Sequence, residues 1–400
     1  MKIRLAQVRL LFFCLFLIFV SGFFGYKFGR GELGFPQRKS SSLEINFSNP
    51  KDLDFSLFWD VWQRLEKSYL NKKALNPQNM YWGAIKGMVE SLGDPYTVFL
   101  PPSDNKQAKE DLSGEFEGVG IQLGYKDSQL AVVAPLKGTP AWAAGVKAGD
   151  LILKIDDKET TGITLPDAVK LIRGPKGTKV KLTLLHEGEK EPYEAVIVRD
   201  KITVPSVELE FVNNVAHLKL TRFGDNTGDE WEKAVGEILA KNGVRGVILD
   251  LRDNPGGYLS GAIFIASEFL DKGVVVQQEG ASGVKETFSV NRQGKLTKVK
   301  LVVLVNKGSA SASEIVAGAL QDYGRAKIVG EKTFGKGTIQ EAQELEGGAG
   351  LHITTARWLL PKGRSIDKEG IKPDVEVKDN PKTEVDEQLE KALKLVQWRS

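Results

Sequence analysis

The sequence has a single cysteine, Cys14, inside an apolar run near the N-terminus, so the rest of the chain offers neither a disulfide nor thiol chemistry. Histidine is nearly as scarce: His186, His217 and His352 each sit in a strand-like stretch such as "LTLLHEG" or "AHLKL". None belongs to a triad motif, and "GxSxG" does not occur. A charge surplus is missing as well. Lys and Arg number 55 against 52 acidic residues, and five of the bases (Lys2, Arg4, Arg9, Lys27, Arg30) fall in the first thirty residues, which hold no acid. Beyond residue 30 the balance is therefore 50 to 52, or −2. No basic field remains for nucleic acid, which is excluded as a partner. With 41% hydrophobic and 27% charged residues over 400 positions, the chain is neither disordered nor fibrous and is long enough for two or three domains.

Long hydrophobic runs are absent apart from one. The basic start of "MKIRLAQVRLLFFCLFLIFVSGFFGYKFGR" leads into 17 uncharged, mostly apolar residues, Leu10 to Tyr26. Residues 1–30 read as a signal peptide or an uncleaved signal anchor. Positive charge ahead of the run favours a cytoplasmic N-terminus and an exported body, on the periplasmic or outer side of a membrane. Residues 31–54 mix Gly, Pro, Ser and charge without periodicity and read as a linker.

Residues 55–103 carry two amphipathic helical patterns, "FSLFWDVWQRLEKSYL" and "NMYWGAIKGMVESLG". From 104 to 200 the texture turns to short apolar strands with Gly turns, "GVGIQLGY", "LAVVAPL", "DLILKID" and "KVKLTLL", and two short helices, "TPAWAAG" and "TLPDAVKLI". Residues 201–400 alternate strand and helix: "VAHLKLTRF", "DEWEKAVGEILAKNG", "VRGVILDLR", "GAIFIASEFL", "LVVLVN", "ASEIVAGALQD". A hairpin-like pair follows around "GGAGLHITTARWLL". Buried strands alternating with helices predict an α/β sheet, whose sites gather in loops at the strand ends.

Three such loops could carry chemistry. In "NKGSASASEIVAGALQDYG" the serines lie at a strand-to-helix junction, where free N–H groups and a positive dipole end suit a developing oxyanion. Ser311 with Glu314 three residues on is equally a capping box. A serine nucleophile needs a base, and with histidine confined to strands the alternative is a lysine kept neutral by burial. Lys336, between two glycines in "FGKGTIQ", is the candidate, although most lysines are surface charges. "GEKTFGKG" also resembles a phosphate-binding loop, but Gly337 replaces the Ser or Thr that would hold Mg²⁺, and "TIQEAQEL" reads as a strand. The third loop is Asn254-Pro255-Gly256-Gly257, an ordinary turn or a presenter of N–H groups.

Taken together, "SLGDPYTVFL", "GEFEGVGIQLG", "LDLRDNPGG", "NKGSASASEIVAGALQDYG", "GKGTIQ" and "GIKPDVEV" occur in the order found in carboxyl-terminal processing proteases, and the chain resembles that tail-specific Ser/Lys peptidase family from about residue 55 onward. The resemblance implies a crotonase/ClpP-like α/β protease core with an inserted β-rich PDZ domain. It places the nucleophile at Ser311, the general base at Lys336 and a lysine-orienting amide at Gln340. The oxyanion hole falls on Gly256, Gly257 and Ala312, and Ser309 and Ser313 become structural. In the PDZ-like module, Gly118, Val119, Gly120 and Ile121 form the loop that receives a C-terminal carboxylate.

The implied activity is serine endopeptidase cleavage of exported proteins near apolar C-terminal tails, with no cofactor and no metal. Its partners would be protein or peptide substrates, an adaptor protein, the membrane through the N-terminal segment, and a second copy of the chain in a homo-oligomer. Two alternatives stand beside it: a membrane-tethered PDZ protein that binds C-termini without cutting, and acyl-thioester chemistry on the same core.

Overall fold

A computed structural model describes residues 53–397, apart from 187, 284, 380–382 and 384. The expected signal or anchor segment and most of the linker lie outside these residues. Among the described residues, no helix is long and apolar enough to cross a membrane.

The larger core is built on a six-stranded sheet in the order Val207–Val212, Val215–Leu220, Gly246–Asp250, Leu301–Val305, Lys327–Gly330, Val375–Glu376. The first pair is antiparallel and the remaining pairs are parallel. All five residues of Gly246–Asp250 and of Leu301–Val305 are buried, as expected of parallel strands covered on both faces. The period of two sorts their side chains. Val247, Leu249, Val303 and Val305 face one cluster with Trp231, Phe269 and Ile315 from the crossover helices Thr227–Ala240, Leu259–Phe269 and Ala312–Asp322. Ile248, Val302 and Leu304 face the other way, onto Ala392 and Val396 of the C-terminal helix Glu387–Gln397.

A second, antiparallel sheet joins Val98–Leu100, Gly350–Leu359, Val274–Gly280 and Lys285–Ser289, with Thr338–Glu344 also paired to Gly350–Leu359. It carries the turn Asp94–Thr97 beside the loop that contains Lys336. The helix Pro102–Ser113 packs here too, where Asn105 donates to the Gly348 carbonyl at 3.0 Å. Its sequence, "PSDNKQAKEDLS", is too polar to announce a helix by apolar periodicity.

The β-rich module has its own sheet, in the order Ile121–Lys126, Gln129–Pro135, Leu151–Ile155, Lys179–Leu185, Tyr193–Val198, and its own core around Leu130, Ile152, Ile155 and Leu182. A two-stranded stem, Glu115–Gly118 against Asp200–Thr203, leads into and out of it. Where the stem closes, Val204 N–H donates to the Gly114 carbonyl at 2.8 Å.

Candidate active site

Three adjacent parallel strands deliver the three candidate loops to one edge of the large sheet. Gly246–Asp250 ends in the Asn254–Gly257 turn, Leu301–Val305 in the serine loop, and Lys327–Gly330 in the loop bearing Lys336. This is the carboxyl end of the strands, where α/β folds form their crevices. The first two loops are stitched together. Ala310 N–H and Ser313 Oγ both donate to the Asn254 carbonyl at 3.0 Å, and Ser309 Oγ donates to the Leu251 carbonyl at 2.7 Å. Ser309 and Ser313 are fully buried in these bonds.

Ser311 differs from both. It is half-buried, stands immediately before the helix Ala312–Asp322, and holds φ 54° and ψ −114°, a left-handed conformation that L-residues avoid. Strain of this kind persists only where the surroundings enforce it. Glu314 supplies much of that enforcement. Its fully buried carboxylate accepts from Ser311 N–H and Lys336 N–H through Oε2, each at 2.9 Å. Oε1 accepts from Gly335 N–H at 2.7 Å and from Thr333 Oγ1 at 2.5 Å. The return arm of the capping box thus also fixes a loop more than twenty residues away, a role the local i,i+3 pattern could not reveal.

Lys336 is half-buried, with Nζ 5.1 Å from the ring centre of Tyr96. Burial pushes its pKa below 10.5, and the Asp94 carboxylate opposes that shift without cancelling it. His352 is pushed below its ordinary value by burial and by the charge of Lys336. Asp94 is held in place by bonds from Tyr96 N–H at 3.0 Å and Thr97 Oγ1 at 2.6 Å. The turn "GDPYT" is therefore part of the lysine's surroundings; Tyr96 and Asp94 were visible in the sequence only as members of a motif. Among the described residues no hydrogen bond joins Lys336 Nζ to Ser311 Oγ or to Gln340. The Gln340 amide donates to Thr338 Oγ1 at 2.9 Å and Thr354 Oγ1 at 3.1 Å.

The glycine turn abuts Ser311. A Cβ on Gly256 would lie 2.8 Å from Ser311 Cβ and 3.0 Å from Ala312 N. Gly256 N–H is taken by Asn254 Oδ1 at 2.9 Å. Gly257 N–H and Ala312 N–H have no hydrogen-bond partner among the described residues, which leaves two donors flanking the serine.

In the β-rich module, Gly118, Val119, Gly120 and Ile121 line a cleft of about 70 Å³ with Phe116, Leu123, Val169, Ile172 and Arg173. Val169 and Ile172 come from the helix Leu165–Ile172. Strand Ile121–Lys126 is a sheet edge and offers unpaired backbone to an added strand.

Comparison with known proteins agrees with this architecture. Residues 214–377 match the model of peptidase family S41, and residues 132–185 match the PDZ domain. The carboxy-terminal processing protease CtpA of Bacillus subtilis is 40% identical over 338 residues, covering 84% of this chain and 72% of that protein. The carboxy-terminal-processing protease of Bartonella bacilliformis is 39% identical over 342 residues, covering 84% and 78%. In fold, the chain resembles a solved S41 protease from Bacteroides fragilis with a TM-score of 0.54 at 17% identity, over 83% of this chain and 95% of that one. The α/β core with its PDZ domain, and the identity shared along most of the chain, place this protein in peptidase family S41, among the carboxy-terminal processing serine proteases.

Proposed function

We propose that the chain is an endopeptidase whose nucleophile is Ser311 and whose general base is Lys336, and that it cuts exported proteins near apolar C-terminal tails. The observation that carries the reading is the shared carboxylate oxygen of Glu314, which ties the strained serine and the lysine loop to one atom. Neutral Lys336 takes the proton from Ser311 Oγ, and Oγ attacks the scissile carbonyl. The N–H groups of Ala312 and Gly257 hold the tetrahedral oxyanion. Lys336 then passes its proton to the leaving amine; water, deprotonated by the same lysine, hydrolyses the acyl-enzyme. To start the cycle Nζ must leave the face of Tyr96 and come within about 3 Å of Oγ. A long side chain can make that swing, and Gln340, on the strand Thr338–Glu344 that follows, would orient it there.

The PDZ cleft supports the choice of substrate. Its walls are Val119, Ile121, Leu123, Val169 and Ile172, so an apolar terminal side chain fits while loop N–H groups meet the carboxylate. The basic, apolar N-terminus would anchor the enzyme with its body on the extracytoplasmic side. An adaptor protein and a second copy of the chain remain partners for this body to recruit.

The test is mass spectrometry of an unfolded protein with an apolar tail after incubation with wild-type chain or Ser311→Ala. Cleavage by wild type alone supports the reading. Cleavage surviving in Ser311→Ala refutes the nucleophile, and tail binding without cleavage by either chain refutes the endopeptidase assignment.

A further inference from the structure

Arg222 and Phe223 are neighbours in sequence with partners in two different places. The Arg222 guanidinium donates to the Val204 carbonyl, where the chain leaves the PDZ stem. It also fills the space beside Gly114, where the chain enters the stem: a Cβ on that glycine would fall on the guanidinium. Phe223, fully buried, brackets the glycine turn. Its N–H donates to the Gly256 carbonyl at 2.9 Å and its carbonyl accepts from Tyr258 N–H at 2.8 Å. Between those two bonds sits Gly257, so close that a Cβ there would fall on the Phe223 carbonyl.

We propose that Arg222 is a positioning residue that couples the PDZ stem to the oxyanion turn through Phe223, so that the stem's placement sets where Gly257 N–H points. The proposal rests on the reading of Ser311 and Gly257 given above. The path runs from the guanidinium contact along the Arg222 side chain to one planar peptide bond and one pair of backbone hydrogen bonds. Arg222 and Phe223 share a peptide unit, so a shift of Val204 and Gly114 that drags the guanidinium also drags the bonds around Gly257. Thr227 steadies the segment, with Oγ1 accepting from Gly224 N–H at 2.8 Å and donating to the Arg222 carbonyl at 3.3 Å. Buried Arg222 Nε has no partner among the described residues.

The experiment uses the full chain and an unfolded substrate with an apolar tail, prepared with a free C-terminal carboxylate and with an amidated one. Tail-peptide affinity is read by fluorescence anisotropy in a Ser311→Ala background. For Arg222→Met, which keeps the packing and loses the donors, kcat on the free-carboxylate substrate should fall about tenfold to a hundredfold, the scale of an ångström-level misplacement. KM and tail affinity should stay within about twofold, and the rate advantage of the free over the amidated tail should shrink. Arg222→Lys, which restores a donor to Val204, should recover most of kcat. Gly114→Ala, which acts from the stem side, should reproduce the selective loss of kcat. Unchanged kcat in Arg222→Met, or tail affinity falling in step with kcat, would overturn the coupling. Should Arg222→Met not fold, the same readouts on Gly114→Ala decide. Cleavage surviving in the Ser311→Ala chain would instead remove the reading beneath the proposal, an outcome separable from either result.

Discussion

Ser311 and Lys336 are held to a single atom: Oε2 of Glu314 accepts from both backbone N–H groups at 2.9 Å. The serine loop and the lysine loop leave neighbouring parallel strands, and this carboxylate is the fixed point between them. The placement of Ser311 and the placement of Lys336 are thus one structural variable.

Glu314→Gln should therefore damage activity more than stability. The amide keeps one acceptor oxygen for Thr333 and Gly335 but turns an NH₂ toward the donors of Ser311 and Lys336. About a hundredfold loss of kcat is expected, typical of an ångström-scale misplacement. Glu314→Ala strands four buried donors and should cost about 3 kcal/mol or more. Denaturant titration beside steady-state kinetics separates the two; a Gln variant with full kcat would refute the shared anchor.

Ser311→Gly tests the strain. Glycine adopts φ 54° without penalty and keeps the N–H that Glu314 holds. Cleavage should vanish while the chain gains about 1 kcal/mol of stability, the low end of the cost of such a conformation. Ser311→Ala removes the hydroxyl but keeps the strain, so it should show no comparable gain in Tm.

Much of the frame was legible because it rests on local signals. "VILDL" and "LVVLV" are short apolar runs bounded by turns and helices, and they became the central buried strands. Ser311, Lys336 and the Gly256–Gly257 pair were each weak alone, and strand adjacency brought their loops to one edge. What stayed hidden depends on pairings far apart in sequence. Tyr96 meets Lys336 across 240 positions. Glu115–Gly118 pairs with Asp200–Thr203 to form a stem that neither segment announces. Val274–Gly280, "VVVQQEG", lacks the clean alternation of a half-buried strand and finds its place only against Gly350–Leu359.

The glycine turn yields a steric prediction. Gly257 has φ 136° and its missing Cβ would occupy the Phe223 carbonyl; Gly256 has φ 107° and would meet Ser311 Cβ at 2.8 Å. Alanine at either position should cost about 1–3 kcal/mol from backbone conformation alone, with a loss of kcat of about a hundredfold or more as the donor beside Ser311 moves. A fully active Gly257→Ala chain would exclude this turn as the oxyanion site.

With Lys336 as the proposed base, activity and stability should both rise with pH. Only the neutral amine can accept the Ser311 proton, so kcat/KM should rise with pH, and the limb should lie below the 10.5 of an unperturbed lysine because burial lowers the folded-state pKa. The same depression makes the charged lysine costly to fold. Between its folded-state pKa and 10.5 the unfolded chain binds more protons than the folded one, so stability increases with pH across that window; below it the full cost is present. Lys336→Met should abolish cleavage and raise Tm at neutral pH, with the gain shrinking as pH climbs toward 10.5. Thermal melts of both chains from pH 6 to 10 check the sign. A Met variant less stable than wild type at pH 7, or a gain that grows with pH, would show that the lysine is folded in its charged form without penalty and is no candidate for the base.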